Sequence, residues 1–232
     1  MSSDHAGAGV RVADRGLGFG ERADQRPLLR GVLHQYSAAS TVLAGGILFW
    51  AASSLRDRVA VTVYVGAITA MFAMSATYHR VSWRSGRTRR LARRLDRSTI
   101  FLAIAGSYTP FALLVLRQPT ATVVLVLVWL GALAGTFLNV LWIGAPRWLV
   151  MSLYVALGWA GIAAIPQLVE HGGALITALL LLGGVLYSLG GVVYALRQPD
   201  PRPTVFGYHE VFHSLVFAAA AVQFVAVAFV VT

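Results

Sequence analysis

His209 and His213 stand four residues apart in the stretch F-G-Y-H-E-V-F-H-S-L-V-F, which runs from Phe206 to Phe217. On a helix, residues i and i+4 share one face, so two imidazoles there can meet one metal ion. Glu210 between them completes H-E-x-x-H, a pattern in which two histidines bind zinc and the glutamate serves as base. The pattern is short, and no Asp, Glu or His follows it as a third ligand. It also opens a long apolar segment. Any partners for the pair must come from other parts of the chain.

The elements that position these residues belong in a membrane. Of the 232 residues 57% are hydrophobic and 12% charged, and the mean hydropathy is +0.70. A soluble domain of this size carries roughly 25% charge. The reading is a polytopic membrane protein with one domain. There is no cysteine, which removes disulfides and thiolate ligands and leaves nitrogen and oxygen to hold a metal. All nineteen basic residues are arginine. They fall in the short connections between apolar runs, so the net charge of +10 reads as topology signals and not as a nucleic-acid surface. The N-terminus lacks the pattern of a cleaved leader.

Met1 to Gln25 is polar and Gly-rich and reads as a disordered cytoplasmic tail. Arg26 to Tyr36 reads as an interfacial lead-in, with His34 an interfacial side chain. Seven segments follow, each long enough for a bilayer core of about 20 helical residues: Ser37–Leu55, Val59–His79, Ser98–Leu116, Thr120–Leu141, Trp148–Pro166, Ala174–Leu196 and Tyr208–Val231. The expected fold is all-α, a seven-transmembrane helix bundle over residues 26–232. Glycines such as Gly45, Gly46 and Gly135 let helices approach closely, and Pro110 and Pro166 kink or end them. Sixteen arginines fall on one side of this arrangement and three on the other. The positive-inside rule then puts the N-terminus in the cytoplasm and the C-terminus outside.

This topology brings five residues to one depth. Ser75 and His79 end segment 2 at the cytoplasmic side, Asp96 enters segment 3 there, and His209 and His213 begin segment 7. Taken singly, His79 reads as an interfacial side chain and Ser75 as a packing hydroxyl. Together they suit zinc: His79, His209 and His213 supply three imidazoles, with a fourth position for water. Asp96 can act as base or offset the metal charge, and Ser75 can hydrogen-bond water or an oxyanion. Glu210 points about 100° away from His209, toward the cytoplasm or a neighbouring helix. His171 beside Glu170 reads as a solvated loop residue.

At these residues the sequence resembles the hemolysin III family, the bacterial branch of the progestin and adipoQ receptor superfamily. The matching stretches are R-P-L-L-R-G-V-L-H at 26–34, S-A-T-Y-H at 75–79, L-D-R-S-T-I-F at 95–101, A-G-S-Y-T-P-F at 105–111 and F-G-Y-H-E-V-F-H at 206–213. The resemblance implies a seven-helix bundle in a bacterial plasma membrane, with zinc on His79, His209 and His213 and an accompanying Ser75 and Asp96. Alkaline ceramidases, which hydrolyse a lipid amide, are more distant relatives. Arg97 is a departure: the family often has histidine after the aspartate. An arginine there can pair with Asp96 and lower its basicity.

Three functions compete on this reading. The first is a zinc-dependent hydrolase of a lipid amide or ester, with membrane lipids as partners and substrate. The second is a non-enzymatic membrane-integrity or channel-like protein with structural zinc. The third is an intramembrane metalloprotease using Glu210. A water-filled pore is disfavoured because no segment carries a continuous polar stripe. The oligomeric state is open.

Overall fold

A computed structural model describes residues 27–142 and 146–232, so the expected tail Met1–Gln25 lies outside the described residues. Apolar runs in a bilayer must satisfy their backbone polar groups internally, and a helix does so within one segment. Among the described residues there are seven helices of at least 12 residues and no strand. They are α1 (Val32–Ala51), α2 (Leu55–Arg80), α3 (Gly86–Leu114), α4 (Thr120–Leu141), α5 (Arg147–Gly158), α6 (Gly173–Leu196) and α7 (Tyr208–Val231). By length and composition, α2, α4, the stretch Trp148–Leu196 and α7 are each apolar enough to cross a membrane.

Helix α3 is the central element. It packs against α2 and α4 along much of its length, and also touches α5 and α7. Helix α7 closes the bundle against α6 and α1. Tyr64, Phe72, Phe101 and Val128 are fully buried between these elements. Leu43, Ile47 and Trp50 of α1 and Phe137 of α4 point outward, an apolar surface that suits lipid and not water. Gly45 sits directly on the Val65 side chain of α2, where a Cβ has no room, and Gly135 lies on the Phe101 ring in the same way. Gly46, expected to act alike, has nothing near it.

Two helices depart from the expected limits for visible reasons. Helix α2 begins at Leu55 and not at Val59, because Ser54 and Asp57 form a capping box. The Asp57 amide donates to Ser54 Oγ at 3.1 Å and the Ser54 amide to Asp57 Oδ2 at 2.9 Å. Helix α3 starts at Gly86, three turns before the expected Ser98, with Ser85 accepting from the Arg87 amide at 3.2 Å. The arginine-rich connection is therefore largely helix.

The segment expected at Trp148–Pro166 does not run through. Helix α5 stops at Gly158, and single helical turns, one of them a π turn at Leu168–Gly172, lead into α6. The Tyr108 hydroxyl of α3 donates to the Gly158 carbonyl at 2.6 Å and accepts from the Gly161 amide at 3.1 Å. A side chain thus serves backbone groups released by the break, which is how broken helices persist at membrane depth. Pro166 lies in the first turn of Ile165–Gln167, where a missing N–H costs nothing. His171 belongs to the π turn, half-buried, with Nδ1 3.0 Å from the Gln167 carbonyl.

Candidate metal centre

His79 lies in the last turn of α2, and His209 and His213 in the first two turns of α7. Each offers one ring nitrogen, and these three atoms lie within 4.8 Å of one another. His79 Nε2 and His209 Nε2 are 3.1 Å apart. Two nitrogens at tetrahedral positions about 2.05 Å from a zinc ion would be separated by roughly 3.3 Å. The donor set suits a nitrogen site, and the His79–His209 pair has the spacing of two tetrahedral ligands. His209 and His213 are buried and His79 is half-buried, as suits a site with one face open to a ligand.

Ser75 stands one turn before His79 and is buried. Its hydroxyl lies 2.8 Å from His34 Nδ1 and interacts with the Asp96 carboxyl on the other side. Arg97 adjoins Asp96 electrostatically, and its carbonyl accepts from the Tyr154 hydroxyl at 2.7 Å. Asp96, Ser75 and the three histidines all line one cavity of about 700 Å³ enclosed by α2, α3, α5, α6 and α7. All five residues singled out from the sequence are thus brought together.

His34 is a correction to the sequence reading. It is not interfacial: it is 3% exposed, and its ring stacks on His213 with centroids 3.7 Å apart and planes 14° from parallel. It fixes both a candidate ligand ring and the Ser75 hydroxyl. Glu210, expected to point away from His209, does so. It is buried, its Oε1 pairs with the Arg30 guanidinium, and its Oε2 accepts from the Gly207 amide at 2.8 Å. It does not line the cavity. Glu210 therefore caps α7 and anchors the segment before α1, and the protease reading loses its base. Arg30 and His34 are four residues apart, so the i, i+4 spacing that exposed His209 and His213 was present here too.

Gly31 lets this segment sit so close. Its φ is +78°, and a Cβ there would come within 2.7 Å of the His79 Cβ. Only glycine meets both conditions without strain.

The sequence profile described as "Haemolysin-III related" matches residues 23–224, from four residues before the described segment into α7. The chain belongs to the hemolysin III family. Hemolysin-3 of Bacillus cereus is 32% identical over 175 residues, covering 75% of this chain and 75% of that protein. The hemolysin-3 homolog of Bacillus subtilis (strain 168) is 29% identical over 178 residues, covering 76% and 79%. The heptahelical transmembrane protein ADIPOR2 of Oryza sativa subsp. japonica is 32% identical over 180 residues, covering 70% and 77%. These place this hemolysin III-type protein in the progestin and adipoQ receptor superfamily, as a multi-pass membrane protein whose clustered histidines can bind a metal ion.

Proposed function

We propose that this protein is a zinc-dependent hydrolase of a lipid amide or ester in a bacterial plasma membrane. One observation carries the reading: three clustered imidazoles and the Asp96–Ser75 pair share the wall of a cavity that continues past them between apolar side chains such as Ile104, Phe111 and Leu168. Arginine asymmetry supports a cytoplasmic N-terminus and an outside C-terminus. The rice relative is a heptahelical transmembrane protein by name, which supports seven crossings by α1–α7; we take residues 1–25 as a tail and 26–232 as one transmembrane domain.

His79, His209 and His213 would hold the zinc. When bound, zinc supplies a Lewis acid for a carbonyl and lowers the pKa of a water to about 7. Hydrolysis adds water across the acyl C–N or C–O bond. The water oxygen bonds to the acyl carbon, the bond to the leaving nitrogen or oxygen breaks, one water proton passes to that leaving atom, and the other is released as the acid ionises. Asp96 takes the proton from water and delivers it to the leaving atom. Ser75 orients that carboxyl, and His34 holds Ser75. Arg97 keeps an opposite charge beside Asp96. The apolar wall beyond excludes water and takes the acyl chain.

The test pairs metal content with turnover. Purified wild type should carry about one zinc per chain and cleave some member of a panel of lipid amides and esters. Asp96→Asn should keep the metal and lose about 100-fold or more in turnover. Metal-loaded protein with no turnover on any lipid would sink the enzyme reading. It would leave the membrane-integrity alternative, which the naming of the Bacillus relatives as hemolysins supports. There the zinc ties α2 to α7, and Asp96→Asn should leave cellular activity intact.

A further inference from the structure

One face of α3 carries the cavity lining along nearly its whole length. It begins with Arg89, Arg90, Arg93 and Arg97, passes Asp96, and continues with Ile100, Ile104, Tyr108 and Phe111. These positions recur at helical spacing, so they form one stripe. From Arg89 to Ala112 the stripe rises roughly 34 Å, and the part beyond Asp96 roughly 24 Å. Arg197, at the end of α6, adds a fifth guanidinium from another wall. Among the described acidic residues only Asp96 lines the cavity. The cavity therefore has a cationic mouth, a histidine–aspartate level and a long apolar reach, in that order.

Topology accounts for arginines on this side of the membrane but not for their placement on this stripe. Arg84, Arg87 and Arg94 belong to the same connection and do not line the cavity; Arg94 is instead bonded to the Val140 carbonyl at 3.2 Å. Arg89 and Arg93 are half-buried, and neither forms an ion pair with a described carboxylate. Half-buried guanidinium groups suit planar bidentate recognition of phosphate or carboxylate.

We propose that the ligand of this cavity is a single-chain acyl lipid with an anionic, phosphate-bearing headgroup. The headgroup sits among Arg89, Arg93 and Arg197, the acyl linkage lies at the histidine–Asp96 level, and the chain follows α3 toward Phe111. This rests on the hydrolase reading and names its substrate class. A volume of about 700 Å³ is within the usual range for one ligand of modest size.

The experiment is equilibrium binding of radiolabelled oleoyl glycerol phosphate to the full chain in a neutral sugar detergent. Monooleoylglycerol and inorganic phosphate are the competitors, and turnover is followed in parallel. The phosphate lipid should bind about tenfold more tightly than the neutral lipid of the same chain, and lose that margin at high salt. Arg89→Gln with Arg93→Gln should cost about tenfold, Arg93→Lys less, and Arg84→Gln with Arg87→Gln under about twofold. Retained metal and a single elution peak check that each variant is folded, and the comparison of lipids on wild type needs no variant. Equal affinity for the two lipids would overturn the proposal, as would equal losses in both arginine pairs. Displacement by inorganic phosphate as readily as by the lipid would assign the site to a free anion instead. Tight, headgroup-dependent binding without turnover would remove the hydrolase reading alone. Equal turnover of both lipids would remove the headgroup assignment alone.

Discussion

Just inside the cavity's cationic mouth His34, His79, His209 and His213 touch ring to ring, and an ion pair and a capped helix hold them in place. At the other end Ile104, Phe111, Leu116 and Leu168 line open space beside a helix that has come apart into single turns. The first region is tightly held: rings and carboxylates from α1, α2, α3 and α7 pack on and bond to one another. The second is under-filled, and one tyrosine hydroxyl stitches its backbone. Chemistry needs fixed distances, whereas a flexible acyl chain needs room. The two ends should therefore respond to substitution very differently.

The hardest blow to the histidine end is His79→Ala. Elemental mass spectrometry should show metal falling from about one per chain to under a tenth, because two ligands on one helix hold zinc far more weakly than three. Retention of metal would erase the distinction between the ends. Next is Glu210→Ala, which removes the buried carboxylate facing the largely covered Arg30. It should cost about 3 kcal/mol in denaturant unfolding in micelles, and a loss under 1 kcal/mol would make that pair incidental.

Gly31→Ala tests how closely packing sets ligand geometry. The added Cβ meets the His79 Cβ at 2.7 Å in a left-handed backbone. A loss of about 1–3 kcal/mol should come with weaker metal retention during chelator titration; unchanged retention would show that His79 has slack. At the other end, Tyr108→Phe removes the bonds to Gly158 and Gly161. It should cost about 1 kcal/mol and leave metal content unaltered. Smallest is Ile104→Val, at about 0.5 kcal/mol in the same unfolding assay, since this side chain already borders empty space. A cost above 2 kcal/mol there would mean that the apolar end is packed after all.

Much of this was legible in the chain. Long apolar runs with arginine-rich ends gave helices whose limits coincide for α4 at Thr120–Leu141 and α7 at Tyr208–Val231. The juxtaposition of Ser75, His79, Asp96, His209 and His213 followed from counting arginines. What escaped depended on neighbours. Three turns of α3 were hidden because arginines carry no apolar period, although their cavity-facing members do share a stripe. The break after Gly158 depends on a tyrosine 50 residues away. The burial of His34 and Arg30 depends on α7 lying beside them, which no local pattern announces.

The Arg30–Glu210 pair joins residues 180 positions apart, and His79 meets His209 across 130. Chains are made and inserted from the N-terminus onward, so neither junction can form until α7 has left the ribosome. Until then Arg30 and His34 must wait in the membrane without their later partners. The ion pair and the histidine cluster are therefore among the last features of the fold to be completed.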